Sequence, residues 1–143
     1  MTFQNIISFL SEDISFDLEC QNDIQNWIQN TISNEGKIMG EITYIFCSDE
    51  YLHKMNLEHL KHDTFTDIIT FNYCVDDIIN SDIFISVDRV KENSEAYKTT
   101  FQNELSRVII HGILHLIGYD DKNDSDKEVM RTKEDFYLSL LSI

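Results

Sequence analysis

The chain contains no proline and only four glycines in 143 residues. That composition excludes proline-rich recognition tails, collagen-like repeats and flexible glycine linkers. Positive charge is also scarce: 11 Lys and Arg against 26 Asp and Glu give a formal net charge of −15. A domain that grips nucleic acid by charge alone is normally basic. Any nucleic-acid role here must therefore rest on a local basic patch or on a metal. No apolar run is long enough to span a membrane. The opening Met1-Thr2-Phe3-Gln4-Asn5 lacks the basic and apolar segments of a secretory signal, so a cytoplasmic location is expected. Three widely spaced cysteines (Cys20, Cys47 and Cys74) fit reduced core thiols rather than a disulfide framework.

What is present is enough for a core: 42% of the residues are hydrophobic. The length suits one domain over residues 1–143, and the sequence shows no internal polar linker. The apolar period switches along the chain. Ile6 to Leu10 and Ile14 to Leu18 read as an opening strand with a turn at Ser11-Glu12-Asp13. Asn22 and Asp23 can cap a helix with Ile24, Trp27, Ile28 and Ile32 on one face and Gly36 at its end. Lys37 to Cys47 alternates as a strand. Ser48-Asp49-Glu50 opens a short helix to about Leu60, with its acids where the helix dipole favours them. Asp67 to Tyr73 is a strand, Asp76 to Asn80 a polar connection, and Ile83 to Val87 a further strand. Helices follow at about Asp88 to Tyr97, Thr100 to Leu116 and Ser125 to Leu141. The expectation is an α+β (mixed α/β) fold, with about four strands in a mixed sheet and about five helices.

The penultimate helix is apolar almost all round from Val108, as a buried helix would be. Yet it carries His111 and His115, four residues apart and so on one face. Buried imidazoles need partners, and a divalent metal satisfies both at once. Core histidines with protein partners are the plainer alternative. Gly118 follows where a helix would stop at positive φ. Tyr119-Asp120-Asp121 then returns a carboxylate toward the pair. The spacing H-x-x-x-H-x-x-G-x-x-ligand is the one by which metzincin-type sites collect three zinc ligands and leave a fourth position for water. Zinc peptidases place a glutamate general base after the first histidine. Here that residue is Gly112, which leaves room near the helix or allows close packing against it.

His111-Gly-Ile-Leu-His-Leu-Ile-Gly-Tyr-Asp-Asp121 resembles the signature H-G-x-L-H-L-x-G-Y-D-H of the YbeY metallo-endoribonucleases. Met55-Asn56 followed by Asp63-Thr64-Phe65-Thr66-Asp67-Ile68-Ile69-Thr70-Phe71 resembles that family's second block, around L-N and then T-D-V-L-S-F, and Ser81-Asp82-Ile83 falls where the family has G-D-I. The resemblance covers about Tyr44 to Leu141. It implies a cytoplasmic, zinc-dependent endoribonuclease specific for single-stranded RNA. Its implied role lies in 16S rRNA 3′-end maturation and ribosome quality control, with the ribosome or a ribosome-associated protein as partner. The metal set it implies is His111, His115 and Asp121. Two positions depart from the pattern. Asp121 replaces the family's third histidine, a substitution zinc accepts and which moves the set toward the two-His, one-carboxylate pattern of iron or manganese sites. Asp120 competes for the same place. Leu60 stands where the family carries an arginine, with His59, Lys61 and His62 around it as substitute cations or as an ordinary helix end.

The implied chemistry is phosphodiester hydrolysis by a metal-activated water held at His111, His115 and Asp121. Lys61, His62 or Arg107 would offset charge on the phosphate. Glu104, two helical turns before His111, would orient an imidazole or face solvent. The alternatives are a zincin-like metallopeptidase or other metal hydrolase, and a catalytically weak ribosome-assembly factor.

Overall fold

The computed structural model describes residues 7–60 and 65–141. Four strands, β1 (Ile7–Ser11), β2 (Ile38–Cys47), β3 (Ile68–Asn72) and β4 (Ile78–Ser86), form one sheet in the order β1-β2-β4-β3. β1, β2 and β4 are parallel, and β3 pairs antiparallel with β4 at the edge. The helices are α1 (Gln21–Asn34), α2 (Asp49–Met55), α3 (Val87–Ala96), α4 (Phe101–Ile117) and α5 (Asp124–Ser139). α2 runs on into a π-helical turn, Asn56–Leu60. Among the described residues this is the expected α+β architecture, a mixed four-stranded sheet with five α-helices.

The core lies where α4 crosses the sheet. Alternate residues of β2 and β4 (Ile42, Tyr44 and Phe46; Ile83 and Ile85) are buried on the face that meets Ile109, Ile113 and Leu114. Tyr44 Oη donates 3.0 Å to the Ile109 carbonyl, fixing the helix across the sheet. α3 and α5 pack on the other sides of α4, which explains its all-round apolar sequence. Trp27 Nε1 on α1 donates 2.7 Å to the Tyr137 carbonyl and so ties α1 to α5. Truncating a wholly buried aliphatic residue here, Ile113→Ala for example, costs about 2–5 kcal/mol.

Three local expectations fail for identifiable reasons. The opening strand ends at Ser11, and Ile14 to Leu18 form no strand. β1 takes a parallel partner in β2, so no hairpin return is needed. Asp13, at φ 49°, instead holds the Ser48 backbone N–H and hydroxyl at 3.0 and 2.5 Å, while Phe16 packs on Phe46 and Phe101. α1 starts at Gln21 after Cys20, which is left-handed at φ 57° and offers no side-chain cap; Asn22 and Asp23 lie inside the first turn. β4 begins at Ile78, not Ile83, because the expected polar connection shrinks to the two-residue turn Asp76-Asp77. Paired Val75 and Ile78 backbone groups close that turn at 2.9 and 3.2 Å. The core-thiol expectation holds for Cys47 alone: Cys20 is exposed and Cys74 half-buried. Burial and the surrounding acids push the Cys47 thiol up to about 12, which makes it an inert packing group.

Candidate metal centre

The last two turns of α4 present His111 and His115 on one face, their ring centroids 5.2 Å apart and their planes at 86°. Thr100 caps the helix start by accepting from the Asn103 N–H, and Gly118, at φ 128°, ends it. The Gly118 and Tyr119 N–H groups both return to the Leu114 carbonyl, at 3.1 and 3.0 Å. The chain thereby doubles back, and Asp121 faces the imidazoles. Its Oδ2 lies 3.4 Å from His111 Nε2 and its Oδ1 3.4 Å from His115 Nε2. Candidate ligand atoms of the three residues all fall within 4.8 Å of one another.

These separations are long for hydrogen bonds but suit an ion. Tetrahedral zinc with bonds of about 2.1 Å sets its ligand atoms about 3.4 Å apart. Two imidazoles and a carboxylate, half-buried and open to a groove, are also an acceptable donor set for zinc, iron or manganese. The three residues therefore fit a divalent metal.

Behind His111 a second layer fixes the ring. Its Nδ1 lies 2.7 Å from Glu134 Oε2 on α5, which assigns the proton to Nδ1 and leaves the Nε2 lone pair toward Asp121. Glu134 Oε1 in turn accepts from Arg107 at 2.9 Å, and Arg107 also reaches Asp135 at 2.7 Å. Burial disfavours the imidazolium, but the hydrogen bond and charge of Glu134, with Asp121 and Asp67 beyond, outweigh it and raise the His111 pKa.

The loop that carries Asp121 is anchored from below. Glu35, at the end of α1, accepts from Tyr119 Oη at 2.6 Å, from Lys133 Nζ at 3.3 Å and from Tyr137 Oη. Lys133 Nζ also lies 5.4 Å from the Tyr119 ring centre. Burial disfavours the Glu35 carboxylate, yet these three donors hold its pKa below the ordinary range.

Of the residues singled out from sequence, His111, His115 and Asp121 come together, while Asp120 is exposed. Arg107 is engaged by two carboxylates rather than offered to a substrate. Lys61 and His62 lie outside the described residues. His59 packs edge-on against Phe71, and Leu60 lines the groove beside the imidazoles. Glu104 is buried and hydrogen-bonds neither imidazole; the ring-orienting role belongs to Glu134. At Gly112 a Cβ would fall 2.9 Å from Ile68 Cδ1 and 3.4 Å from Thr70 Cγ2, so the glycine serves close packing against β3. Sequence reasoning missed Glu134 and Glu35, and gave Asp67, which lines the groove, no role beyond its place in a motif. Glu134 sits on a helix whose neighbours are mostly polar, and nothing in its spacing points at α4. The groove itself, about 380 Å³, is walled by Asn56 and Leu60 on one side and Thr66 to Thr70 on the other.

A family model described as Endoribonuclease YbeY matches residues 6–142. Endoribonuclease YbeY of Flavobacterium johnsoniae is 54% identical over 110 residues, 77% of this chain and 79% of that protein. That of Christiangramia forsetii is 47% identical over 137 residues, covering 96% and 95% of the two chains. Among solved structures, the solution structure of TM1509 from Thermotoga maritima matches with a TM-score of 0.66 at 26% identity, over 95% of this chain and 89% of that one.

Proposed function

The chain belongs to the YbeY family of endoribonucleases, and from that premise we propose that it hydrolyses single-stranded RNA at a metal held by His111, His115 and Asp121. It is an endoribonuclease of rRNA processing, and we read residues 1–143 as one metallo-hydrolase domain. Zinc is the ion the donor set favours, with iron or manganese as chemically acceptable occupants. The substrate is the 3′ end of 16S rRNA in the cytoplasm, met on the ribosome or through a ribosome-associated protein. No helix among the described residues is long and apolar enough to cross a membrane.

The observation that carries this reading is the convergence of two Nε2 atoms and one carboxylate on a groove, with Glu134 fixing the first ring. A divalent ion at such a site supplies Lewis acidity to a phosphoryl oxygen and lowers the pKa of water. The protein's own contribution is orientation. Glu134 keeps the His111 proton on Nδ1, so that Nε2 presents a lone pair. Gly118, at φ 128°, and the return of the Tyr119 N–H to the Leu114 carbonyl bring Asp121 back to the imidazole pair. Gly112 carries no acid where a zinc peptidase has its general base, and the space is filled by Ile68 and Thr70. Peptide hydrolysis by that route therefore has no base.

The test is metal analysis of the purified protein beside His111→Ala and Asp121→Ala, with cleavage of a single-stranded oligoribonucleotide followed in parallel. The wild type is expected to hold one ion per chain and cut the RNA, and both variants to lose metal and cleavage together. Variants that cut as well as the wild type would overturn the assignment.

A further inference from the structure

We propose that the pocket on the α3 and α5 side of His111 is a nucleotide subsite, in which Tyr97 stacks on an unpaired base and Arg131 takes a flanking phosphate. The inference rests on the nuclease reading and adds where the strand lies.

His111 and Asp121 stand between two cavities, the groove of about 380 Å³ toward Leu60 and a second of about 270 Å³ toward Tyr97 and Arg131. Both ligands line both cavities, as does Asp67, so a polymer whose phosphate meets the ion extends into the two spaces. The described wall of the first offers Asn56, Leu60 and Thr66 to Thr70, with no Lys or Arg. The second holds two guanidinium groups. Arg107 is held by Glu134 and Asp135. Arg131 is exposed and makes no hydrogen bond or ion pair among the described residues.

Beside it Tyr97, at the end of α3, is 65% exposed, a large aromatic surface with no packing role to explain it. An aromatic platform next to a cation is how proteins bind single strands with little sequence preference, because every base has a π-face. Paired bases are already stacked in a duplex, so the same platform selects unpaired RNA. The competitor for Arg131 is the Glu104 carboxylate in the same pocket, whose charge Arg131 favours. A phosphate has to displace that attraction, which makes the contact sensitive to salt.

The experiment is fluorescence anisotropy of the zinc-loaded full chain with a labelled single-stranded oligoribonucleotide across a salt series, with zinc content and cleavage measured in the same samples. Tyr97→Ala is expected to raise Kd about 5- to 100-fold, and Tyr97→Phe to restore it. Arg131→Gln is expected to lower the slope of log K against log salt by about 0.7. Both side chains are exposed, so folding and zinc content hold. Wild-type affinity and slope in both alanine and glutamine variants would overturn the subsite, as would a wild type that binds no RNA. A wild type that binds without cutting overturns the nuclease reading instead, and the two variants still decide the subsite by Kd.

Discussion

Two polar clusters meet α5 through adjacent residues, Lys133 and Glu134, and they are built on different logic. On the Lys133 side, Glu35 collects three donors, and Tyr119, Lys133 and Tyr137 end on it. Every charge there is answered inside the cluster. On the Glu134 side, the chain Asp135–Arg107–Glu134–His111 ends in an imidazole whose Nε2 is turned to the groove with only a carboxylate 3.4 Å away. A closed network holds structure. An open-ended one holds structure up to its last atom and leaves that atom available, which is what a ligand site requires.

Two substitutions separate the clusters and a third probes the buried Glu104 carboxyl, in decreasing order of effect. Glu134→Gln should lower zinc affinity about 10- to 100-fold, measured by competition with a chelator, because the ring loses its charged partner. Unchanged affinity would show that Glu134 only packs. Glu35→Gln should do the reverse. Metal affinity should stay within about threefold, while stability falls by about 1–2 kcal/mol, or about 3–8 °C in Tm. Since the Glu35 carboxyl ionises below the ordinary range in the folded chain, its stabilisation is complete at neutral pH and drains away as pH falls below about 4.3. The glutamine variant should show a flatter acid limb in its Tm against pH. A loss of metal equal to that of Glu134→Gln would erase the distinction between the clusters.

Glu104→Gln should give the smallest change and the opposite sign. Burial, with the charge of Asp67 behind it, holds the Glu104 carboxyl above the ordinary range. The folded chain then keeps a proton that the unfolded chain releases, so stability falls as pH climbs past about 4.3. Glutamine should remove that fall and raise Tm slightly at neutral pH. Matching Tm curves for variant and wild type from acid to neutral pH would show that Glu104 escapes its burial.

The legible parts of the molecule were those written in local pattern. The helix of His111 and His115 announces itself by period, Gly118 by its place after the last turn, and Asp121 by spacing from Gly118. β2 and α4 likewise follow from alternation and from a long apolar face. The unreadable parts depend on which elements become neighbours. Ile14 to Leu18 has strand-like alternation, yet the chain leaves the sheet after β1, and Phe16 and Leu18 pack into the core instead of pairing along the outer edge of β1. Ile78 and Ile79 lie in the stretch Asp76 to Asn80 that reads as a connection, yet pairing with Ile38 and Met39 of β2 makes them strand. Glu134 and Glu35 lie 23 and 84 residues from the groups they hold, His111 and Tyr119. No periodicity carries such information. Glu104 shows the converse: correct helical phase placed it on the side of His111, but the partner came from another helix.

Gly112 links the interior to the substrate side through a single missing methyl. Ile68, whose Cδ1 would lie 2.9 Å from a Cβ at this position, also forms part of the groove wall. Any bulk added there must push an aliphatic chain end outward, into the space the strand would traverse. The calibre of the channel is thus set from behind, by how near a backbone can approach, and an alteration hidden in the helix would be felt by the RNA before it was felt by the fold.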